Sequence, residues 1–278
     1  MDFVKVMKSK AVEYQNRLVL PEGTEERTVA AAARIISEKL AKEVTLLGNQ
    51  SAIENVAREK GIDLSGVTLC DPEQSPLFSE FCTAYYELRK HKGMTLEQAA
   101  VDMKNTLRFG AMMVKLDKAD SMVAGAESTT ADVLRSGLTI IGTAPGSKTA
   151  SSCFVMQMKD KSWGSDGMMI FSDCAVIPTP SSEQLSDIAV SAGLSCKSLI
   201  GVEPVVAMLS FSTKGSGGKD ENVLRVQEAV RLAKEKAPEL LLDGELQADA
   251  ALVPSITQKK APGSPITGKV NTLVFPDL

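Results

Sequence analysis

The sequence predicts an α/β protein with mostly parallel sheets, divided into two domains. Short apolar runs alternate with helical patterns through the first half of the chain, which is the pattern of βαβ units. The chain has 278 residues, more than the roughly 150 residues of a typical domain. Near Pro145 and Gly146 the regular alternation of strand and helix patterns gives way to a different order of elements. We therefore expect a first α/β domain over residues 1–145 and a second α/β domain over residues 146–278.

The first domain opens with two strand patterns separated by a helix. Arg17–Gly23 (RLVLPEG) is a strand that ends in a Pro-Glu-Gly turn, and Val44–Gly48 (VTLLG) is the next strand. Between them, apolar residues at helical spacing predict a helix that Thr24 caps. A capping box at Ser51–Glu54 predicts the start of a second helix, and Gly61 predicts its end.

Three further strand patterns complete the first domain. They are Val67–Cys70, Ser121–Gly125 and Leu138–Gly142. Ser75 and Thr95 are the predicted caps of two intervening helices, and Thr95 begins a capping box. Ligands of parallel sheets bind beyond the carboxyl ends of the strands. We therefore expect a functional site in the loops that follow the last two strands.

The second domain has a different order of elements. Cys153–Met158 and Met168–Ser172 flank a loop with Asp-Gly in it, which predicts an antiparallel hairpin. Ser182 opens a helix, Val205–Ser210 is a strand, and Asp220 begins a long helix. The last strands are predicted within ELLLDGELQADAALV and NTLVFPDL.

The composition excludes several classes of protein. A composition of 44% apolar and 24% charged residues is that of an ordinary globular protein. With 31 Lys and Arg against 35 Asp and Glu, the net charge is −4, and only 4% of residues are aromatic. This argues against a nucleic-acid partner, which usually meets a basic stripe and stacking rings. No stretch of about 18 residues is apolar and uncharged, so we expect no membrane span, and the charged start does not resemble a signal peptide.

Histidine and cysteine usage limits the chemistry. His91 is the only histidine, so a His-rich metal site is impossible and any Ser-His-Asp apparatus would need this one residue. The five cysteines form no C-x-x-C pair, which predicts a reduced, cytoplasmic setting. Asp243, Glu245 and Asp249 have no His or Cys partner nearby in sequence, so we predict no metal site.

Three segments are candidates for anion binding, each with an ordinary structural alternative. Glu127–Asp132 offers hydroxyls at a helix start, with Arg135 further on; it either caps the helix or captures an anion. Arg89–Lys92 is either a solvated helix end or a clamp for phosphate. Ser212–Gly218 (STKGSGG) either wraps a phosphate or is a surface loop. GTAPGSKT does not have the spacing of a phosphate loop, which excludes a nucleotide hydrolase.

Motifs along almost the whole chain resemble one family. They are E-L-R-K-H-K-G-M-T (Glu87–Thr95), F-G-A-M-M-V-K (Phe109–Lys115), T-A-D-V-L-R-S-G-L (Thr130–Leu138), D-G-E-L-Q-A-D-A-A (Asp243–Ala251), K-A-P-G-S-P (Lys260–Pro265) and F-P-D-L (Phe275–Leu278). In this order the chain resembles the phosphate acetyl/butyryltransferase family.

The resemblance implies a reaction and its substrates. Acetyl is transferred reversibly between CoA and phosphate, so CoA, acetyl-CoA, acetyl phosphate and inorganic phosphate are the expected ligands, with no tightly bound cofactor. It implies two α/β domains with a cleft between them, as in the isocitrate/isopropylmalate dehydrogenase-like fold, and a homodimer. By motif position, Arg89 and Arg135 correspond to the family's functional arginines, and Ser128 and Thr130 line its acetyl phosphate pocket. A CoA-site cysteine of one member aligns with Lys161, so no catalytic cysteine is expected.

Two alternatives remain open at this point. The family's Ser-Arg pair and Asp follow the F-P-D-L segment, so its catalytic residues lie beyond Leu278 and we expect a fragment of a longer enzyme, whose missing segment returns to complete the first domain. One alternative is phosphate butyryltransferase activity, and the other is a non-catalytic remnant that binds CoA or an acyl phosphate. An isocitrate dehydrogenase-like oxidoreductase is disfavoured, because no nucleotide fingerprint or cluster of metal-binding carboxylates is present.

Overall fold

The chain divides into two compact units, each with a sheet of its own. The computed structural model describes residues 2–278, and the units comprise residues 2–142 and 143–278. The first sheet has four strands that pair in parallel, and the second has five strands with one antiparallel pair. The predicted α/β class, with mostly parallel sheets and a hairpin in the second half, is confirmed.

The first unit is a parallel sheet in the order β3-β2-β1-β4. Its strands are β1 (Arg17–Leu20), β2 (Glu43–Leu47), β3 (Val67–Cys70) and β4 (Ser121–Met122). Its helices are α1 (Phe3–Tyr14), α2 (Glu26–Ser37), α3 (Gln50–Lys60), α4 (Phe78–Arg89), α5 (Leu96–Met103), α6 (Thr106–Lys115) and α7 (Thr130–Ser136). Short 3₁₀ turns lie at Pro72–Gln74 and Lys90–Lys92, and a π-helical turn at Gly137–Ile141 continues α7.

Both faces of the first sheet are buried. Val19 and Leu47 belong to an apolar cluster with residues of α4, α5 and α6, whereas Leu20 and Leu46 belong to a cluster with residues of α2 and α3. Successive strand residues point to opposite faces of a sheet, so β1 and β2 each contribute to both clusters. This is why the strands read as nearly continuous apolar runs in the sequence.

The helix starts are confirmed in part. Thr95 caps α5 with the predicted capping box, in which Gln98 bonds back to the cap. At α2 and α3 the predicted caps are wrong. The carboxylate of Glu25 caps α2 instead of Thr24, and Asn49 caps α3 two residues before Ser51. Where several capping side chains lie close together, sequence alone does not choose among them.

Leu138–Gly142 is not a strand, and the prediction for this segment was wrong. The chain stays helical after α7, and the N–H of Gly142 donates to the carbonyl oxygen of Gly137 at 3.0 Å. Ile140 is buried, whereas Leu138 and Ile141 are exposed. An apolar run of this length is consistent with either a strand or a helix, and tertiary packing decides between them.

The second unit is a mixed sheet in the order β5-β6-β9-β7-β8. Its strands are β5 (Cys153–Gln157), β6 (Met168–Ser172), β7 (Val205–Leu209), β8 (Leu241–Leu246) and β9 (Thr272–Val274). Its helices are α8 (Ser182–Ser195), α9 (Glu221–Lys236), α10 (Ala248–Leu252) and α11 (Pro254–Lys260). Strands β5 and β6 form the predicted antiparallel hairpin, and Asp220 caps α9 as predicted. Within residues 2–278, no helix combines the length and the apolar character that a membrane crossing needs.

Candidate active site

The four residues predicted to bind substrate all lie in the first unit. Ser128, Thr130 and Arg135 belong to one continuous segment, the loop after β4 and helix α7, and Arg89 is the last residue of α4. Helix α6 packs against both α4 and α7. Among residues 2–278, no hydrogen bond or ion pair joins Arg89 to the other three. The structure therefore places three of the four on one segment, and Arg89 on a second helix that also packs against α6.

A buried carboxylate organises the loop after β4. Strands β1 and β4 run parallel, so Glu22, two residues beyond β1, reaches the loop at the same edge of the sheet. Its Oε2 accepts the N–H groups of Gly125 and Ala126 at 2.9 and 2.8 Å. Its Oε1 accepts those of Glu127 and Ser128 at 3.0 and 2.6 Å. We call residues 125–128 the Glu22-bound loop.

The environment of Glu22 favours its charged form. The side chain is buried, with 7% of the residue exposed. Burial on its own raises the pKa, but the backbone N–H and hydroxyl of Ser128 and the N–H groups of Glu127 and Ala126 outweigh it and lower the pKa from 4.5 to about 2. A carboxylate that accepts several N–H groups is stabilised as the anion. Glu22 is therefore ionised at neutral pH.

This geometry revises the prediction of an anion site at residues 127–132. The backbone N–H groups of the Glu22-bound loop already have an anionic partner, which the protein itself supplies. The side chain of Thr129, not that of Ser128 or Thr130, caps α7 by accepting the N–H of Asp132. For an external anion, side chains remain: Thr130 is exposed at the first position of α7, and Arg135 lies further along the helix.

Arg135 is oriented by the cap of its own helix. Its Nη1 donates to Asp132 at 3.1 Å, and the Thr129 hydroxyl donates to the other carboxylate oxygen of Asp132 at 2.8 Å. The Arg135 side chain is 63% exposed. A guanidinium has five N–H donors in a planar fork that matches phosphate. Arg135 thus keeps most of its donors for a ligand.

Arg89 has a donor without a partner. Its Nε is buried and, among the described residues, makes no hydrogen bond. The guanidinium lies close enough to Tyr85 to oppose the rise in the Tyr85 pKa that burial causes. The neighbouring Lys90 is paired with Glu87 at 2.5 Å. A buried, unsatisfied donor is uncommon in proteins and points to a function or an absent partner.

A cavity of about 240 Å³ lies beside the Glu22-bound loop. Its wall is mostly apolar, and Glu22 and Arg27 contribute the charges. The lining residues are Leu20, Glu22, Arg27, Thr28, Ala31, Val123, Ala124 and Ala126. Mostly apolar walls with a few polar groups are typical of ligand sites.

In the second unit, the loop STKGSGG is also held by a carboxylate. Glu245 accepts the N–H of Gly215 at 2.7 Å and the hydroxyl of Ser212 at 2.8 Å. The N–H of Gly217 goes to the Ser212 hydroxyl at 2.9 Å. These donors are directed at protein groups, so the loop does not present an open cradle for phosphate.

The acidic residues considered as metal ligands have partners of their own. Asp243 accepts from Lys214 at 2.8 Å and from Lys234 at 3.0 Å, and Lys260 donates to Asp249 at 2.8 Å. Across residues 2–278, the structure has no group of three or more His, Cys, Asp or Glu side chains able to hold a metal ion.

Four of the cysteines share one electrostatic trend. Burial raises the pKa of the Cys70, Cys82, Cys153 and Cys196 thiols, which keeps them protonated at neutral pH. Lys161, which the family resemblance aligns with the CoA-site cysteine of one member, is exposed between β5 and β6.

Comparison with known proteins identifies the family. The family model described as "Phosphate acetyl/butaryl transferase" matches residues 2–278. The phosphate acetyltransferase of Treponema pallidum (strain Nichols) is 59% identical over 280 residues, which cover 100% of this chain and 83% of that protein. That of Thermoanaerobacterium thermosaccharolyticum is 46% identical over 278 residues, covering 100% of this chain and 84% of that protein. The structure of a phosphotransacetylase from Streptococcus pyogenes matches with a TM-score of 0.91 at 39% identity, covering 99% of this chain and 82% of that one.

These similarities extend over the whole chain and agree with one another in sequence and in fold. The relatives are acyltransferases, and this chain is an acyltransferase too. With a family model that matches residues 2–278 and a curated relative 59% identical over the full length of this chain, the chain belongs to the phosphate acetyl/butyryl transferase family.

Proposed function

We propose that this protein transfers acetyl reversibly between CoA and phosphate, and that the segment from Ser128 to Arg135 binds the phosphate group. The full-length similarity to phosphate acetyltransferases carries the reaction. The geometry of the first unit supports the site: a loop fixed by Glu22 leads into a helix that presents Thr130 and Arg135 to solvent.

The reaction matches the chemistry that such residues provide. The sulfur of CoA attacks the carbonyl carbon of acetyl phosphate, the bond from that carbon to the phosphate oxygen breaks, and the thiol proton passes to a base. A free thiol has a pKa of about 8.5, so a base assists the attack at neutral pH. Guanidinium groups neutralise the phosphate that leaves, through charge-assisted hydrogen bonds.

Each proposed residue has a separate role. Arg135 binds the phosphate with the donors that Asp132 leaves free, and the Thr130 hydroxyl adds a donor about 1.4 turns earlier. Ser128, whose N–H and hydroxyl bond to Glu22, fixes the entry to the helix. Arg89, with its unpartnered Nε, binds an anionic group of CoA.

The relatives favour acetyl transfer over butyryl transfer, and a catalyst over a non-catalytic binding domain. We further propose that the protein is cytoplasmic, that it needs no tightly bound cofactor, and that it forms a homodimer, as the family resemblance implies. Sedimentation at the mass of a single chain, 29.6 kDa, would exclude the dimer.

Replacement of Arg135 tests the site. Loss of charged hydrogen bonds worth about 1.5–3 kcal/mol predicts that Arg135→Ala raises the KM for inorganic phosphate roughly 10- to 100-fold. The measurement is thiol release from acetyl-CoA at varied phosphate, with the Kd for phosphate from titration calorimetry alongside.

A matched control is available on α2. Arg34 is 70% exposed and pairs with Glu38 on its own helix, as Arg135 pairs with Asp132. Arg34→Ala should leave both constants unchanged. If Arg135→Ala behaves like Arg34→Ala, the phosphate is bound elsewhere.

A further inference from the structure

We propose that Glu22 is a positioning residue that sets the affinity for the phosphate ligand by holding the loop at residues 125–128 in its binding geometry. This inference rests on the proposed function, because it assumes that Thr130 and Arg135 bind phosphate. Glu22 itself touches no substrate in this role. It acts through the loop and the helix that follows it.

The carboxylate of Glu22 matches the N–H groups of the Glu22-bound loop as acceptor to donors. A carboxylate offers acceptor sites on both oxygens and no donor. The Glu22-bound loop presents four backbone N–H groups, two to each oxygen of Glu22, at 2.6–3.0 Å. A neutral amide of the same shape would satisfy only two of them and would set its own N–H₂ against the others. The arrangement therefore requires the charged carboxylate.

The turn after β1, which carries Glu22, is itself held rigidly. The N–H of Gly23 donates to the carbonyl oxygen of Leu47 at 3.0 Å, which ties the turn after β1 to the end of β2. A Cβ at Gly23 would lie 2.5 Å from that oxygen, so only glycine allows this approach. Arg27 adds a second link, since its Nη2 donates to the carbonyl oxygen of Ala126 at 2.7 Å.

The Glu22-bound loop leads directly into α7, which carries the proposed phosphate ligands Thr130 and Arg135. The residue after Ser128 is Thr129, the cap of α7, and Thr130 is the first residue of that helix. The position of the loop thus determines where α7 begins and where Thr130 and Arg135 point. If the loop leaves this conformation for a fraction of the time, the apparent affinity falls by the same fraction. The kcat at saturating ligand is unaffected by such a loss.

The test is the isosteric variant Glu22→Gln. We expect faster hydrogen exchange at the amides of residues 125–128 and a KM for inorganic phosphate raised about tenfold, which corresponds to a competent fraction of about one tenth. The Kd for phosphate should rise in parallel, and kcat per folded enzyme should stay within about twofold. Glu22→Asp keeps the charge but is one methylene shorter, and should show a smaller rise. If Glu22→Gln does not fold, Glu22→Asp carries the same test.

The control residue is Asp120, which lies where β1 and β4 begin, at the other end of the strand pair from Glu22. Asp120 precedes β4 and accepts from the backbone N–H and guanidinium of Arg17, and its pKa is also about 2. Asp120→Asn should lower stability without changing exchange at residues 125–128 or the KM for phosphate. A merely structural Glu22 would likewise give a lower melting temperature with an unchanged KM, although exchange at residues 125–128 would still become faster. That result would overturn the inference.

Arg135→Ala separates the two possible failures. If it raises the KM for phosphate while Glu22→Gln does not, the positioning role is wrong and the proposed site stands. If neither variant changes the KM, the inference and the proposed phosphate site are both wrong.

Discussion

At the scale of single residues, buried carboxylates with backbone partners are the recurring device of this protein. Glu22 and Asp173 follow strands β1 and β6, and Glu245 lies near the end of β8. Asp173 accepts the N–H groups of Ser152, Cys174 and Ile177 at 2.7–3.0 Å. A buried charge is costly unless it is fully hydrogen-bonded, so each carboxylate fixes the loop that solvates it. The loops beyond these strands are thereby held by hydrogen bonds to the protein's own carboxylates.

The acid sensitivity of the fold follows from Glu22. Its pKa is about 2 in the folded protein against an ordinary value of 4.5. Because the folded value is the lower one, the stabilisation is fully present above about pH 4.5 and is lost as pH falls through about 2. At 1.36 kcal/mol per pKa unit, this shift corresponds to roughly 3 kcal/mol at neutral pH.

We therefore expect the stability difference between wild type and Glu22→Gln to depend on pH. It should narrow by roughly 2 kcal/mol between about pH 6 and about pH 3. Urea unfolding at a series of pH values measures it, and the comparison with the variant removes the contribution of Asp120, which titrates in the same range. A difference that stays constant with pH would show that the charge of Glu22 is not what stabilises the loop.

The sequence indicated the side chains of the proposed phosphate site, but not the residue that holds their loop. Ser128, Thr130 and Arg135 were recognisable from hydroxyls at a helix start and from the family motif. Glu22 was not, because its partners are 103 to 106 residues away and are backbone N–H groups, which have no residue-type signature. The available signal is a charged residue placed directly after a buried strand and beside glycine, in the segment LVLPEG.

At the scale of elements, patterns with one physical solution were predicted well. Strands β1 and β2 contribute buried residues to both faces of the sheet, so their apolar runs are continuous and bounded by turns. The strand prediction for Leu138–Gly142 was wrong because its apolar, β-branched residues suit a strand as well as a helix. Its helical state depends on packing of the π-helical turn against α6, a tertiary contact.

Two glycine substitutions should have opposite effects on stability. Gly23→Ala places a Cβ 2.5 Å from the Leu47 carbonyl oxygen, so the turn must shift, at a cost of about 1–3 kcal/mol. Gly137 is helical, and an added Cβ would meet no atom within 4 Å beyond its chain neighbours and the backbone of its own helix, so Gly137→Ala should stabilise by about 0.4–1 kcal/mol. Urea unfolding of both variants gives the sign. A neutral Gly23→Ala would mean that the turn after β1 is not fixed by β2.

At the scale of the whole molecule, the two units use one architectural rule. In each unit, a carboxylate near the end of one strand accepts hydrogen bonds from the loop that follows a neighbouring parallel strand. Glu22 bonds the loop after β4 in the first unit, and Glu245 bonds the loop after β7 in the second. Residue types alone were enough to predict the α/β class and the antiparallel hairpin. The identity of the ligand came from motifs and relatives, since one fold of this class serves many chemistries.

The acyl group is where the family divides, so acyl preference is the prediction that tests the function of the molecule as a whole. Butyryl has two more methylenes than acetyl, and burial of each is worth about 0.8 kcal/mol where a pocket exists. In a site without that space the extra carbons must displace packed atoms, and discrimination of about 10- to 200-fold per methylene is typical. The relatives are phosphate acetyltransferases, so we expect a site without space for the two extra methylenes.

The kcat/KM for acetyl-CoA should therefore exceed that for butyryl-CoA by at least about tenfold, with thiol release measured at saturating phosphate. The KM for phosphate serves as the internal control, because in the proposed site Arg135 and Thr130 bind the phosphate and not the acyl chain. It should be the same with either donor. Equal kcat/KM values for the two donors would place this protein with the butyryl branch of its family, while leaving the phosphate site intact.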